Sequence, residues 1–226
     1  SPSQLSGVRR LYQGVSLVPG QAAVGGLTFG SELRWHALLY GDQVGSAEFY
    51  LPILGFFRHM VLDDKNWELR HFQLSREGQL AQRKLAAVLD AVDPDIGRFL
   101  ARGGKLILWH GWHDAIVQAS FAVSYQSKLL SKLGSDVVNR SVRLFMAPGV
   151  EHGFGGPGPD RFGQHAAADG DPERSLGAAL RRWVEQGVAP DRVIAVRHRV
   201  PMDPTTEVVR SRPLCAWPKF AVYRGE

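Results

Sequence analysis

Two short stretches of the sequence concentrate side chains that move protons: His110-Gly111-Trp112-His113-Asp114 and, further along, Glu151-His152. A serine hydroxyl is a poor nucleophile until a neighbouring imidazole takes its proton. A buried carboxylate must in turn hold that imidazole in the right tautomer and stabilise it once it is protonated. Asp114 is therefore read as the orienting acid and His152 as the general base. The bland alternatives are a loop aspartate that caps the following helix and an exposed loop histidine. Glu151 could compete as the acid, but a residue adjacent to His152 rarely reaches back to its ring. Trp112 is a candidate wall of a substrate pocket, and His110 reads as a packing residue at a strand end. The histidines could instead gather a metal. Neither an H-x-x-x-H helix nor a cysteine pair accompanies them, so no metal site is assigned.

The elements around these residues can be read from hydropathy. Lys105–Trp109 and Ser141–Met146 are short apolar runs of the kind found in strands buried on both faces. Between them Gln118–Leu133 carries one apolar stripe (Phe121, Tyr125, Leu129, Leu130, Leu133) and ends at Gly134. Helices are also predicted over Gln82–Val92, Ile96–Ala101 and Leu176–Gln186, the last ended by Gly187 and Pro190. Strand, helix, strand, helix implies a parallel sheet with right-handed crossovers, and the tail beyond Val193 is expected to add an edge strand. Active residues of such sheets lie in the loops at the strands' carboxyl ends, which is where both stretches fall. The glycines after His152 would let its loop, Pro148–Gln164, turn sharply.

Residues 1–80 have a different texture. They are glycine-rich, aromatic and irregular, with helical patterns only around Gln4–Tyr12 and Glu48–His59, and a turn-rich loop over Leu17–Trp35. This part reads as part of a lid or cap domain, and 81–226 as the catalytic part. Phe29, Trp35, Phe56, Phe57, Trp67 and Phe72 either form the lid's own core, the favoured reading, or line an aryl pocket.

An acid after one strand and a histidine after the next fits the Ser…Asp…His order of α/β-hydrolases. The serine is the missing member. No G-x-S-x-G occurs, and Gly30-Ser31 is followed by Glu32-Leu33 rather than by an elbow glycine. The nucleophile and oxyanion hole are expected upstream of Ser1.

GGKLILWHGWHDAIV (Gly103–Val117) and RLFMAPGVEHGFGGPGPDRFG (Arg143–Gly163) resemble the acid-bearing and histidine-bearing segments of the tannase and feruloyl esterase family. ALRRWVEQGVAPDRVIA (Ala179–Ala195) and RSRPLCAWPKFAVYRG (Arg210–Gly225) resemble its later segments, and weaker likeness reaches back to SPSQLSGVRRLYQG (Ser1–Gly14). The resemblance implies the C-terminal part of an α/β-hydrolase sheet with helices on both faces, preceded by part of an irregular lid domain. It implies a carboxylic ester hydrolase acting on gallate- or ferulate-type esters, with Asp114 and His152 as two members of the triad. The family's lid calcium would lie upstream, and no cofactor is assigned to this chain. The family usually carries a cysteine directly after the catalytic histidine, disulfide-bonded beside the serine, where this chain has Gly153. A secreted or periplasmic setting is implied by the resemblance and weakened by that glycine. The alternative function is a non-catalytic fragment or subunit that folds or interacts with an upstream partner segment.

Composition is consistent with this reading. With 44% hydrophobic and 22% charged residues the 226-residue chain is ordinary for a globular protein. The net charge of +5 is scattered rather than clustered, so neither nucleic acid nor membrane is an expected partner. Cys215 is the single cysteine, which rules out an internal disulfide.

Overall fold

A computed structural model describes residues 1–16, 25–165, 170–201 and 203–225. Of the loop expected over Leu17–Trp35, residues 17–24 lie outside the described residues. The chain divides into two compact units, Ser1–Asp93 and Pro94–Glu226.

The first unit is helical and loop-rich. Helix α1 (Pro2–Gln13) starts with a capping box, in which the Ser1 hydroxyl accepts from the Gln4 amide and the Gln4 side chain accepts from the Ser1 amine. Helix α2 (Tyr50–Gly55) runs directly into wide helical turns over Phe56–Leu62. Helix α3 (Gln79–Leu89) begins and ends three residues before the span predicted from its apolar spacing. It packs within this unit, where Lys84 Nζ donates to the Val61 carbonyl at 3.1 Å. The aromatics form two clusters that centre on buried Trp35 and Trp67. The Tyr12 ring lies 5.3 Å from Trp35, and the Phe57 ring 5.3 Å from Trp67 and 5.1 Å from Phe72. Phe29 departs from the core reading, being 80% exposed.

The second unit opens with helix α4 (Gly97–Ala101), then strand β1 (Leu106–Gly111), helix α5 (Ser120–Leu133), helix α6 (Ser135–Ser141) and strand β2 (Val142–Ala147). Helix α6 is absent from the hydropathy reading. Gly134 does end α5, but the chain restarts at once, because Val138 is fully buried beside Leu129 and Leu100. Helix α7 (Leu176–Gln186) occupies its predicted span, with the Ser175 hydroxyl accepting from the Ala178 amide at its N-terminus. Strands β3 (Arg192–His198) and β4 (Val208–Cys215) complete the unit.

β1 and β2 are parallel and in register from Leu106–Val142 to Gly111–Ala147. β3 and β4 form an antiparallel pair that touches β2 through a bridge between Phe145 and Ala216. Strand alternation sends side chains to two apolar layers. Phe145 and Ala147 meet Leu176 and Ala179 of α7 together with Val193, Ala195 and Leu214. Val142 packs with Leu129 of α5 and Val138 of α6, and Leu144 and Met146 with Ala119. The sheet therefore carries helices on both faces, the arrangement of an α/β-hydrolase domain. Leu144 and Phe145 are wholly buried, and each contributes roughly 1.5–3 kcal/mol through burial. β1 differs from its expectation: Leu106–His110 are only half-buried, since β2 is its one strand partner among the described residues. Among the described residues no helix is long and apolar enough to cross a membrane.

Candidate active site

The parallel register brings the carboxyl ends of β1 and β2 side by side, and the two proton-moving stretches leave from there. The loops then run along each other. The Trp112 amide donates to the Ala147 carbonyl at 2.9 Å, and the His113 amide to the Val150 carbonyl at 2.9 Å. Gly111 makes this seam possible. A Cβ at that position would stand 2.2 Å from the Val150 carbonyl oxygen and 2.5 Å from that of Glu151. No residue with a side chain fits without parting the loops.

Asp114 is 2% exposed, and its two oxygens have different work. Oδ1 accepts from the Ile116 amide at 2.8 Å and the Val117 amide at 3.0 Å, closing the turn that leads into α5. Oδ2 lies 2.8 Å from His152 Nδ1 and 3.1 Å from His110 Nε2. The capping role and the contact with His152 thus coexist in this aspartate, one on each oxygen. Burial opposes the charged carboxylate, but the His110 contact, the Val117 amide, the His152 contact and the Ile116 amide outweigh it. The pKa falls from 3.8 to about 2, so the group is ionised at neutral pH.

An ionised carboxylate accepts only, so the proton of His152 sits on Nδ1 and the lone pair on Nε2. The His152 side chain is 54% exposed. Asp114, not Glu151, occupies Nδ1.

His110 is not merely a packing residue. Its Nε2 faces both the Asp114 carboxylate and, at 3.0 Å, the Val117 carbonyl, two acceptors that require a proton on that nitrogen. Burial lowers its pKa, while the hydrogen bonds to Asp114 and Val117 raise it, and the net shift is upward. The only trace of this in the sequence is the four-residue spacing to Asp114, which by itself says nothing about a strand end. His113 takes no part in this contact and is among the residues that line a separate recess. Trp112 is half-buried, 6.0 Å from the Trp217 ring and against the cluster of Ala119, Leu144 and Met146.

Gly153, the position of the family cysteine, has φ +85, a conformation that side-chain-bearing residues rarely adopt. Space is not the obstacle, because a Cβ there would meet His165 at an ordinary 3.6 Å. Ser31 is fully buried, donates to the Thr28 carbonyl and accepts from the Trp35 indole, so it is engaged in structure. Among the described residues no three His, Cys, Asp or Glu side chains gather as a metal site.

A family model for tannase and feruloyl esterase matches residues 8–226. The chain is 36% identical over 194 residues to an uncharacterized esterase of Xanthomonas campestris pv. campestris, covering 76% of this chain and 34% of that relative. It is 29% identical over 204 residues to a probable feruloyl esterase B-1 of Aspergillus terreus, covering 88% and 37%. The chain thus spans little more than a third of the length of these curated relatives. A crystal structure of an esterase from Aspergillus oryzae superposes with a TM-score of 0.82 at 22% identity, over 96% of this chain and 42% of that one, and so shares the fold.

Proposed function

Since the chain belongs to the tannase and feruloyl esterase family, we propose that it supplies the acid and base of a Ser-His-Asp esterase, with the serine donated by a segment outside these 226 residues. The observation that carries this is the 2.8 Å contact between His152 Nδ1 and a buried, ionised Asp114, made while the imidazole stays half exposed. In the first step His152 Nε2 takes the serine proton as the hydroxyl oxygen bonds to the ester carbonyl carbon. The imidazolium formed is stabilised by Asp114 and returns the proton to the departing alkoxide, leaving an acyl-serine. Water then repeats the sequence, and the free acid and the serine are regenerated.

The substrate class we assign is an ester of an aromatic acid. Similarity to a probable feruloyl esterase supports it, and Trp112 is the candidate wall for the ring. Residues 1–80 are assigned to part of a lid or cap domain.

The test is hydrolysis of an aryl ester by the chain alone and with the upstream segment of the same protein added. Activity should require the addition, and a fluorophosphonate should label the added segment. Substantial turnover by the chain alone refutes an external serine. Absence of turnover in the combined protein favours the non-catalytic subunit instead.

A further inference from the structure

The second unit contains a recess of about 610 Å³ that is not lined by His152 or Asp114. It lies behind the two loops, between the start and end of the His152 loop, strand β4 and the C-terminal segment. Its volume falls within the range of small-molecule sites. Arg210 and Arg212, two apart on β4, line it, and no acidic residue does. Neither guanidinium has a carboxylate partner among the described residues. Arg210 reaches only the Pro157 carbonyl, at 3.2 Å. Arg212 and His113 both line the recess, and Arg212 Nε and His113 Nδ1 are enclosed with no hydrogen-bond partner. A recess lined by two arginines and no carboxylate suits a ligand that bears negative charge.

The rest of the lining is flat and apolar, with Pro157, Pro213 and Tyr223 among the walls. The Gly158 amide, which a phosphate could have used, already donates to the Gly149 carbonyl at 2.9 Å. We propose that this recess binds an aromatic carboxylate, its ring between the prolines and Tyr223 and its oxygens on the guanidinium ends of Arg212 and Arg210, with His113 in the wall beside them. A guanidinium fork matches the two oxygens of a carboxylate, and the recess is a second site, separate from the Asp114–His152 pair.

Benzoate is the probe, titrated into the protein by calorimetry and followed in the His113 ring nitrogens by NMR. Saturable binding is expected below about 20 mM, with a shift at His113 and at least tenfold weaker binding of inorganic phosphate. Arg212→Gln should weaken benzoate at least tenfold, and the wild-type NMR shifts locate the site even if that variant does not fold. His152→Ala should leave benzoate binding unchanged while removing the activity proposed above, which separates the two readings. The assignment is overturned by failure to saturate, by phosphate binding as well as benzoate, by indifference of a folded Arg212→Gln variant, or by loss of binding in His152→Ala.

Discussion

Asp114→Asn keeps the shape of the side chain and removes its charge, and the effect on each neighbouring atom can be traced. Asparagine can still accept the Ile116 and Val117 amides on its carbonyl oxygen, which places its amide nitrogen where Oδ2 now meets His152 and His110. A donor then faces His152 Nδ1, so the imidazole proton must move to Nε2, the nitrogen proposed to accept the serine proton. Two magnitudes separate. A carboxyl held at about 2 instead of 3.8 contributes about 2 kcal/mol of stability at neutral pH, within the reserve of an ordinary domain. Because the folded pKa is depressed, that contribution is present above about pH 4 and lost as pH falls through about 2. Loss of the base is larger, about 10⁴-fold in kcat or roughly 5 kcal/mol of barrier. The assay is kcat toward an aryl ester in the complete esterase, beside urea unfolding of both proteins at neutral pH. A folded variant that loses less than about tenfold in kcat would refute the roles given to Asp114 and His152.

His152→Ala should abolish turnover to a similar extent while changing stability by about 1 kcal/mol or less, because its side chain is half exposed; calorimetric melting checks this. Gly111→Ala forces a Cβ against the Val150 carbonyl and should destabilise by about 2 kcal/mol or more, with a cost under about 0.5 kcal/mol contradicting the seam. His110→Ala should cost about 1.5–3 kcal/mol in mildly acidic solution. The His110 pKa is raised on folding, so its contribution is complete below the unfolded value of 6.5 and fades as pH rises through the folded value. Urea titrations at about pH 5.5 and about pH 9 should therefore show a larger gap between wild type and variant at the lower pH.

Elements with their own punctuation were legible in the sequence. α7 has an apolar pattern that Gly187 and Pro190 bring to an end, and β1 and β2 are apolar runs that could pair in only one sensible way. The Asp114–His152 contact was legible because strand topology alone brings their two loops together. Helix α6 was not, since Gly134 reads as a stop and Val137-Val138 are weak helix formers, held helical by the burial of Val138. The sharing of Asp114 by His110 was equally hidden. It depends on the turn after β1 folding back so that both Val117 and Asp114 meet one ring nitrogen. The cationic recess could not be read either, because Arg210 and Arg212 are nearly a hundred residues from His113 in the chain and meet it only through β4.

The contact of the backbones at Gly111 also constrains how the proposed site can be remodelled. Asp114 and His152, the proposed acid and base, do not ride on two independently adjustable arms; any change that shifts one loop drags the other, so their spacing is inherited as a single cassette. Transplanting this chemistry into another scaffold would mean moving residues 111–117 and 147–152 as a pair. Variation aimed at new substrates is better tried in the protein's remaining loops, where a shift leaves the Asp114–His152 contact alone.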